Sequence, residues 1–162
     1  MTQKSHDAAL RVALFPGSFN PFTLGHKSVV DRVLPLFDRV VIAVGYNEAK
    51  GGDGACAGDR AEAIRRVYRD NPSVEVITYS GLTVDACRRC GARFMVRGVR
   101  SVADFEYERS LADINRDIAG IETLLLYTLP CYASVSSSAV RELSRYGCDV
   151  SRYLPPEILT EK

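Results

Sequence analysis

Arg11-Val12-Ala13-Leu14-Phe15-Pro16-Gly17-Ser18-Phe19-Asn20-Pro21-Phe22-Thr23-Leu24-Gly25-His26 joins an apolar run, a turn punctuated by proline and glycine, and the start of an amphipathic segment. Arg11–Phe15 reads as a buried strand. Gly17 lets the backbone turn sharply and lets a ligand approach closely. Thr23 is placed to cap a helix over Leu24–Leu36, whose Val29, Val30, Val33 and Leu34 share one side. Outward from this stretch the alternation repeats. Arg39–Gly45, Val74–Tyr79, Arg93–Val96 and Glu122–Thr128 are strand runs. Asp59–Arg69 (with Asp59 as N-cap), Thr83–Cys90, Ala103–Ile118 and Ser136–Tyr146 have helical spacing. Asn47–Gly58 reads as a glycine-rich loop, and a short helical stretch follows Pro155-Pro156.

Strands alternating with helices imply right-handed βαβ units. The expected fold class is α/β, a single doubly wound domain over residues 1–162 with a five-stranded parallel sheet. No internal repeat or domain boundary interrupts it, and residues 1–9 read as a disordered lead-in without the apolar stretch of a signal peptide. Open parallel sheets bind ligands beyond the carboxyl ends of their strands. That rule singles out Phe15–His26, Tyr46–Lys50, Arg97–Arg100 and the segment after Thr128.

Composition narrows the function. A formal net charge of +1 argues against a duplex nucleic acid partner, which calls for a clear basic excess. No apolar run reaches membrane-spanning length, so no membrane association is expected. Five cysteines without a secretion signal point to free thiols in a reducing compartment, hence the cytoplasm. Cys87-Arg-Arg-Cys90 is a C-x-x-C that reads as inert thiols first, and as a redox or metal site only second. Neither G-x-G-x-x-G, G-x-x-x-x-G-K-[ST] nor G-x-S-x-G occurs, which excludes the usual dinucleotide, P-loop and hydrolase signatures.

Several residues suit phosphate chemistry. The helix start at Thr23 places Gly25 and His26 among free N–H groups, and the helix field there lowers a histidine pKa, making His26 a neutral donor. Arg97 and Arg100 offer forks that match phosphate oxygens; their alternative is surface pairing with Asp104 and Glu106. Ser136-Ser137-Ser138 precedes an apolar helix, a capping pattern that is also an anion site. Lys50 sits in a loop where lysines are usually just solvated, and Glu108 is an acid on an amphipathic helix.

Thr23-Leu24-Gly25-His26 matches the [TH]-x-G-H signature of the nucleotidyltransferase superfamily. Arg97-Gly98-Val99-Arg100-Ser101-Val102-Ala103-Asp104-Phe105-Glu106-Tyr107-Glu108 is very similar to the R-G-[LV]-R-x-x-x-D-F-E-Y-E stretch of the bacterial phosphopantetheine adenylyltransferase family. With Asn115-Arg116 and Val135-Ser136-Ser137-Ser138, the resemblance runs from about Arg11 to Pro156. It implies a Rossmann-like nucleotidyltransferase fold, and transfer of the adenylyl group of ATP to 4'-phosphopantetheine, giving dephospho-coenzyme A and pyrophosphate. It implies His26, Lys50 and Arg100 as catalytic residues. It implies Ser18, Phe19, His26, Gly98, Val99, Arg100, Glu108, Tyr132, Ala133, Ser134, Val135, Ser136, Ser137 and Ser138 as contacts to ATP. It implies Ser18, Lys50, Thr83 and Arg97 as contacts to the acceptor. Mg2+ carried on the ATP phosphates, without a protein cage, and a homohexameric assembly are part of the same expectation. Asn20 departs from the aspartate usual in the family, and the loop after Lys50 lacks its phenylalanine. Two rival readings stay open: an adenylyltransferase for nicotinate mononucleotide, and a nucleotide-binding module without chemistry.

Overall fold

The structure, a computed structural model, describes residues 10–47 and 54–159. Five strands form one parallel sheet: β1 (Val12–Gly17), β2 (Arg39–Gly45), β3 (Val74–Tyr79), β4 (Phe94–Val99) and β5 (Glu122–Tyr127). Their spatial order is β3-β2-β1-β4-β5. The helices are α1 (Leu24–Val33), α2 (Gly54–Val67), α3 (Thr83–Cys90), α4 (Val102–Ala119) and α5 (Ser137–Arg145). The α/β class and the five parallel strands are as the alternation predicts.

Successive side chains of a strand point to opposite faces. Ala13 and Phe15 therefore join Val30, Val33, Ile42 and Ile64 in a core beneath α1 and α2. Val12 and Leu14 join Val41, Ala43, Val84 and Met95 in a second core on the other face. Cys87 belongs to that second core, where burial pushes its thiol up to about 12. Cys90 donates from Sγ to the Cys87 carbonyl at 3.4 Å, and burial raises its pKa as well. Cys87 is thus a packing residue of the second core, with Cys90 packed against it.

Sequence order runs β1-β2-β3 to one side and then returns to place β4 on the other side of β1. The sheet thus has its switch point between β1 and β4, where such sheets open a crevice. The register shows how. β1 and β4 pair only at Ala13–Phe94 and Leu14–Met95, although both strands continue. Pro16 has no N–H to offer the ladder. Its carbonyl instead accepts from the Arg97 side chain at 2.6 Å, across the gap between the strands.

Three boundaries differ most from expectation; β1 also runs on through Pro16 and Gly17, and α4, α5 and β5 differ by one residue at one or both ends. α2 begins at Gly54, so Asp59 lies inside the helix and is not its N-cap. Ala57 and Ala61 are fully buried in the first core, and that packing outweighs the helix cost of Gly58, about 1 kcal/mol. β4 extends through Arg97, Gly98 and Val99, which pair with Leu125, Leu126 and Tyr127. Arg97 therefore stands on the strand and not after it. Gly98 permits this, because a Cβ there would meet Val29 Cγ2 at 3.1 Å. Lastly, α1 stops at Val33 and continues as a 3-10 turn over Leu34–Leu36, which contains Pro35.

Candidate active site

Two cavities open at the carboxyl edge of the sheet. The smaller, about 320 Å³, lies among the end of β1, the start of α1, the end of β4 and the start of α5. The larger, about 970 Å³, is bounded by the ends of β1, β2 and β3 and by α2 and α4. They share Pro16, Gly17, Ser18, Arg97 and Glu108. Two reactants, one in each cavity, would meet at this shared wall.

His26 lines the smaller cavity at the third position of α1. The helix start fixes its ring. The Thr23 side chain accepts from the His26 backbone N–H at 3.4 Å, and the Thr23 backbone N–H donates to His26 Nδ1 at 2.9 Å. This is a capping box with histidine in the place usually taken by Glu or Gln. Since Nδ1 accepts, the proton of the neutral ring resides on Nε2. Phe19 meets the imidazole edge-on at 5.1 Å between centroids, and Phe22 stacks at 5.6 Å. The His26 pKa falls to about 4, chiefly from burial, then from the charges of Arg100 and Arg97. The neutral donor expected from the sequence is therefore present, but desolvation is the main cause and not the helix field alone.

The two arginines differ in what they keep free. Arg97 donates from Nε to Glu108 Oε2 at 2.9 Å and from NH2 to Oε1 at 2.6 Å, and NH1 serves Pro16. Glu108 is buried, and its two oxygens hold Arg97 from both sides. The acid paired with Arg97 is thus Glu108, and not Glu106. Arg100 donates to Asp104 Oδ2 from its backbone N–H and from Nε, each at 3.2 Å. Among the described residues its two terminal nitrogens make no hydrogen bond and are available to an anion.

Two helix starts face the smaller cavity. Ser136 caps α5 by accepting from the Ala139 N–H at 3.1 Å, and Ser137 Oγ donates to the Pro21 carbonyl at 2.8 Å. Backbone amides at the starts of α1 and α5 supply partial positive charge without a lysine. Gly25 adds space. A Cβ there would sit 3.5 Å from Thr23 Oγ1 and 3.7 Å from Tyr132 Cβ, ordinary contacts that the protein tolerates. Gly25→Ala is accordingly expected to raise stability by up to about 1 kcal/mol, through helix propensity. It should also weaken the binding of a phosphate-bearing ligand in this cavity about tenfold, the scale of one lost charge-assisted contact. Thermal melts and calorimetry with a nucleoside triphosphate read both, and an unchanged affinity would show that the cavity does not need the space.

Of the residues expected at ATP, Ser18, Phe19, His26, Gly98, Arg100, Glu108 and Val135–Ser138 line the smaller cavity. Val99 is buried in the fold and lines neither cavity; nor do Tyr132, Ala133 and Ser134, which lead into the α5 cap. Of the acceptor residues, Ser18, Thr83 and Arg97 line the larger cavity, and Lys50 lies outside the described residues. Sequence reasoning missed Asp104 and Thr128 on the smaller cavity and Arg60 and Tyr79 on the larger, while Tyr46, in the strand-end segment it singled out, does line the larger one. It also missed the inner face of α4. Glu108, Leu111, Ala112 and Asn115 line the larger cavity at helical spacing, a period that could have been followed from Glu108. Among the described residues, no three His, Cys, Asp or Glu side chains come together as a metal site.

A parallel sheet with its crevice beside β1, a T-x-G-H helix start, and arginines on and just past the facing strand define a nucleotidyltransferase. The chain matches the cytidylyltransferase-like family over residues 14–143. A bifunctional NMN adenylyltransferase/ADP ribose pyrophosphatase from Francisella tularensis shares the fold, with a TM-score of 0.68 at 14% identity, over 90% of this chain and 45% of that one. Much nearer in sequence is the phosphopantetheine adenylyltransferase of Bacteroides thetaiotaomicron, 49% identical over 90% of this chain and 96% of its own length. That of Porphyromonas gingivalis is 54% identical over 89% and 94%. The chain belongs to the phosphopantetheine adenylyltransferase family.

Proposed function

We propose that this enzyme transfers the adenylyl group of ATP to 4'-phosphopantetheine, releasing pyrophosphate and forming dephospho-coenzyme A. The observation that carries the reading is the meeting of the two cavities at Ser18, Arg97 and Glu108. In this arrangement the smaller cavity receives the phosphates of ATP and the larger one receives the acceptor. An oxygen of the acceptor phosphate attacks the α-phosphorus of ATP, a new P–O bond forms, and the α–β anhydride bond breaks as pyrophosphate leaves. A phosphate monoester has its second pKa near 6 and is mostly a dianion at pH 7, so no general base is needed.

The difficulty is bringing anions together. Two unit charges about 4 Å apart repel by about 4 kcal/mol at an effective dielectric of 20. The His26 Nε2–H, the free nitrogens of Arg100 and the amides at the starts of α1 and α5 offset this around ATP. Arg97, Ser18 and Lys50 do so around the acceptor. The carboxylates on the smaller cavity, Asp104 and Glu108, are already engaged with arginines. That donor set suits a Mg2+ ion held by the ATP phosphates themselves, which supplies charge neutralisation when bound.

The assembly we propose is a homohexamer in the cytoplasm. Apolar side chains on α4 and past β5 (Val102, Phe105, Ile114, Ile118 and Leu129) are exposed in the isolated chain and suit burial between subunits. No helix among the described residues is long and apolar enough to cross a membrane.

Pyrophosphate release from ATP is the test, with 4'-phosphopantetheine and with nicotinate mononucleotide as acceptors. Turnover is expected with the first only. Preference for the second would reassign the substrate, and no release with either would remove the catalytic reading.

A further inference from the structure

We propose that Arg60 is a further acceptor-binding residue, whose guanidinium takes the terminal phosphate of the acceptor in the larger cavity. The proposal rests on reading that cavity as the acceptor's. Arg60 stands on α2 and lines the larger cavity together with Tyr46 and Asn47, which follow β2. β2 is the hydrogen-bonded neighbour of β1, with Val44 opposite Gly17, so the chain leaves β2 beside the shared wall at Gly17 and Ser18.

The partners of Arg60 set it apart. Its Nε is buried and has no hydrogen-bond partner among the described residues. No carboxylate of those residues pairs with it either. Arg39 and Arg66 have a buried Nε of the same kind, but Arg39 holds Glu75 at 3.1 Å and the Cys90 carbonyl at 2.8 Å and Arg66 interacts elsewhere, while Arg65 holds Glu62 at 3.0 Å and the Val76 carbonyl at 2.9 Å. A buried N–H of a charged group left unpaired is costly, so such a group is expected to meet a partner in use.

Charge accounting says which partner. Two described cations line the larger cavity, Arg97 and Arg60. The charge of Arg97 is offset by Glu108 at 2.6 Å. Among the described residues, Arg60 thus brings the uncompensated positive charge. The acceptor carries one anionic group, its terminal phosphate, close to a dianion at pH 7. A guanidinium fork matches phosphate oxygens geometrically as well as electrostatically.

The test uses the full-length enzyme with Arg60→Gln and Arg60→Lys. Wild-type turnover of 4'-phosphopantetheine is measured first, since its absence would defeat the functional reading and not the role of Arg60. Given that turnover, Arg60→Gln is expected to raise the acceptor KM about tenfold or more, with the KM for ATP changed by less than about twofold. Calorimetry with pantetheine, which lacks the phosphate, should give the same affinity for wild type and Arg60→Gln. Arg60→Lys should recover part of the loss. An acceptor KM unchanged by Arg60→Gln, an equal loss for ATP, or an equal loss for pantetheine would each overturn the proposal.

Discussion

Replacing His26 by alanine is expected to lower turnover by a factor on the order of 100 or more in a protein that still folds. The ring contributes one directed N–H at the place where charge grows on the α-phosphate, and the donor is aimed before the substrate arrives. The Thr23 N–H occupies Nδ1, and Phe19 and Phe22 hold the ring plane, so little reorganisation is left to make. His26→Gln, which can present an amide N–H, should retain more activity than alanine. A purified His26→Ala enzyme turning over near the wild-type rate would take the imidazole out of the reaction.

The same burial gives a pH prediction. The folded pKa of His26 is depressed from 6.5 to about 4. As pH falls, the unfolded chain takes up the proton first, and stability is lost from about pH 6.5 down to about pH 4, on the order of 3 kcal/mol in full. Above pH 6.5 the residue adds no pH dependence. Urea unfolding should therefore show wild type losing ground to His26→Gln between pH 7 and pH 5, by about 2 kcal/mol. In NMR spectra, one of the two histidines of the chain should show no titration above pH 5. A His26 signal titrating near 6.5 would contradict the half-buried neutral ring.

What was legible in the sequence follows from where local patterns dominate. β2, β3 and α3 fall where apolar runs and periodicity place them, because their boundaries coincide with changes in polarity. The T-x-G-H turn was legible because its chemistry is local: Thr23, Gly25 and His26 act on one another within one helical turn. α2 was misplaced because its first turns look like a loop and are held by tertiary burial of Ala57. The end of β4 was misplaced for a similar reason. Arg97 and Gly98 do not look like strand residues, and only the ladder to β5 and the close passage of Val29 make them so. Pairings across the fold were the least accessible. Nothing local to Arg97 says that it will span the crevice to Pro16, or that Glu108, eleven residues on, will hold it. Arg60 was invisible because a helical arginine is ordinarily a solvated one, and only the cavity shows what it faces.

The clamp on Arg97 carries the second large prediction. Removing one partner of a well-buried ion pair costs about 3–5 kcal/mol, whereas removing both is far milder. Here the Arg97 side chain is 28% exposed and Glu108 9%, so solvent screening brings the cost to the lower end of that range or just below it, about 3 kcal/mol for Arg97→Met and about 2 for Glu108→Gln. The double variant should be less destabilised than the sum by about 2 kcal/mol in chemical denaturation, the mark of a direct pair. Activity separates two roles for Glu108. If the carboxylate works by aiming Arg97 at the shared wall, Glu108→Gln should lower kcat/KM by about ten- to a hundredfold in the wild-type background. In the Arg97→Met background it should then change little. If Glu108 instead touches ATP, the same factor would appear in both backgrounds and would fall on the KM for ATP. Both carboxylate oxygens are within 3 Å of Arg97 nitrogens, at 2.9 and 2.6 Å, a two-point grip on the guanidinium that favours the first outcome.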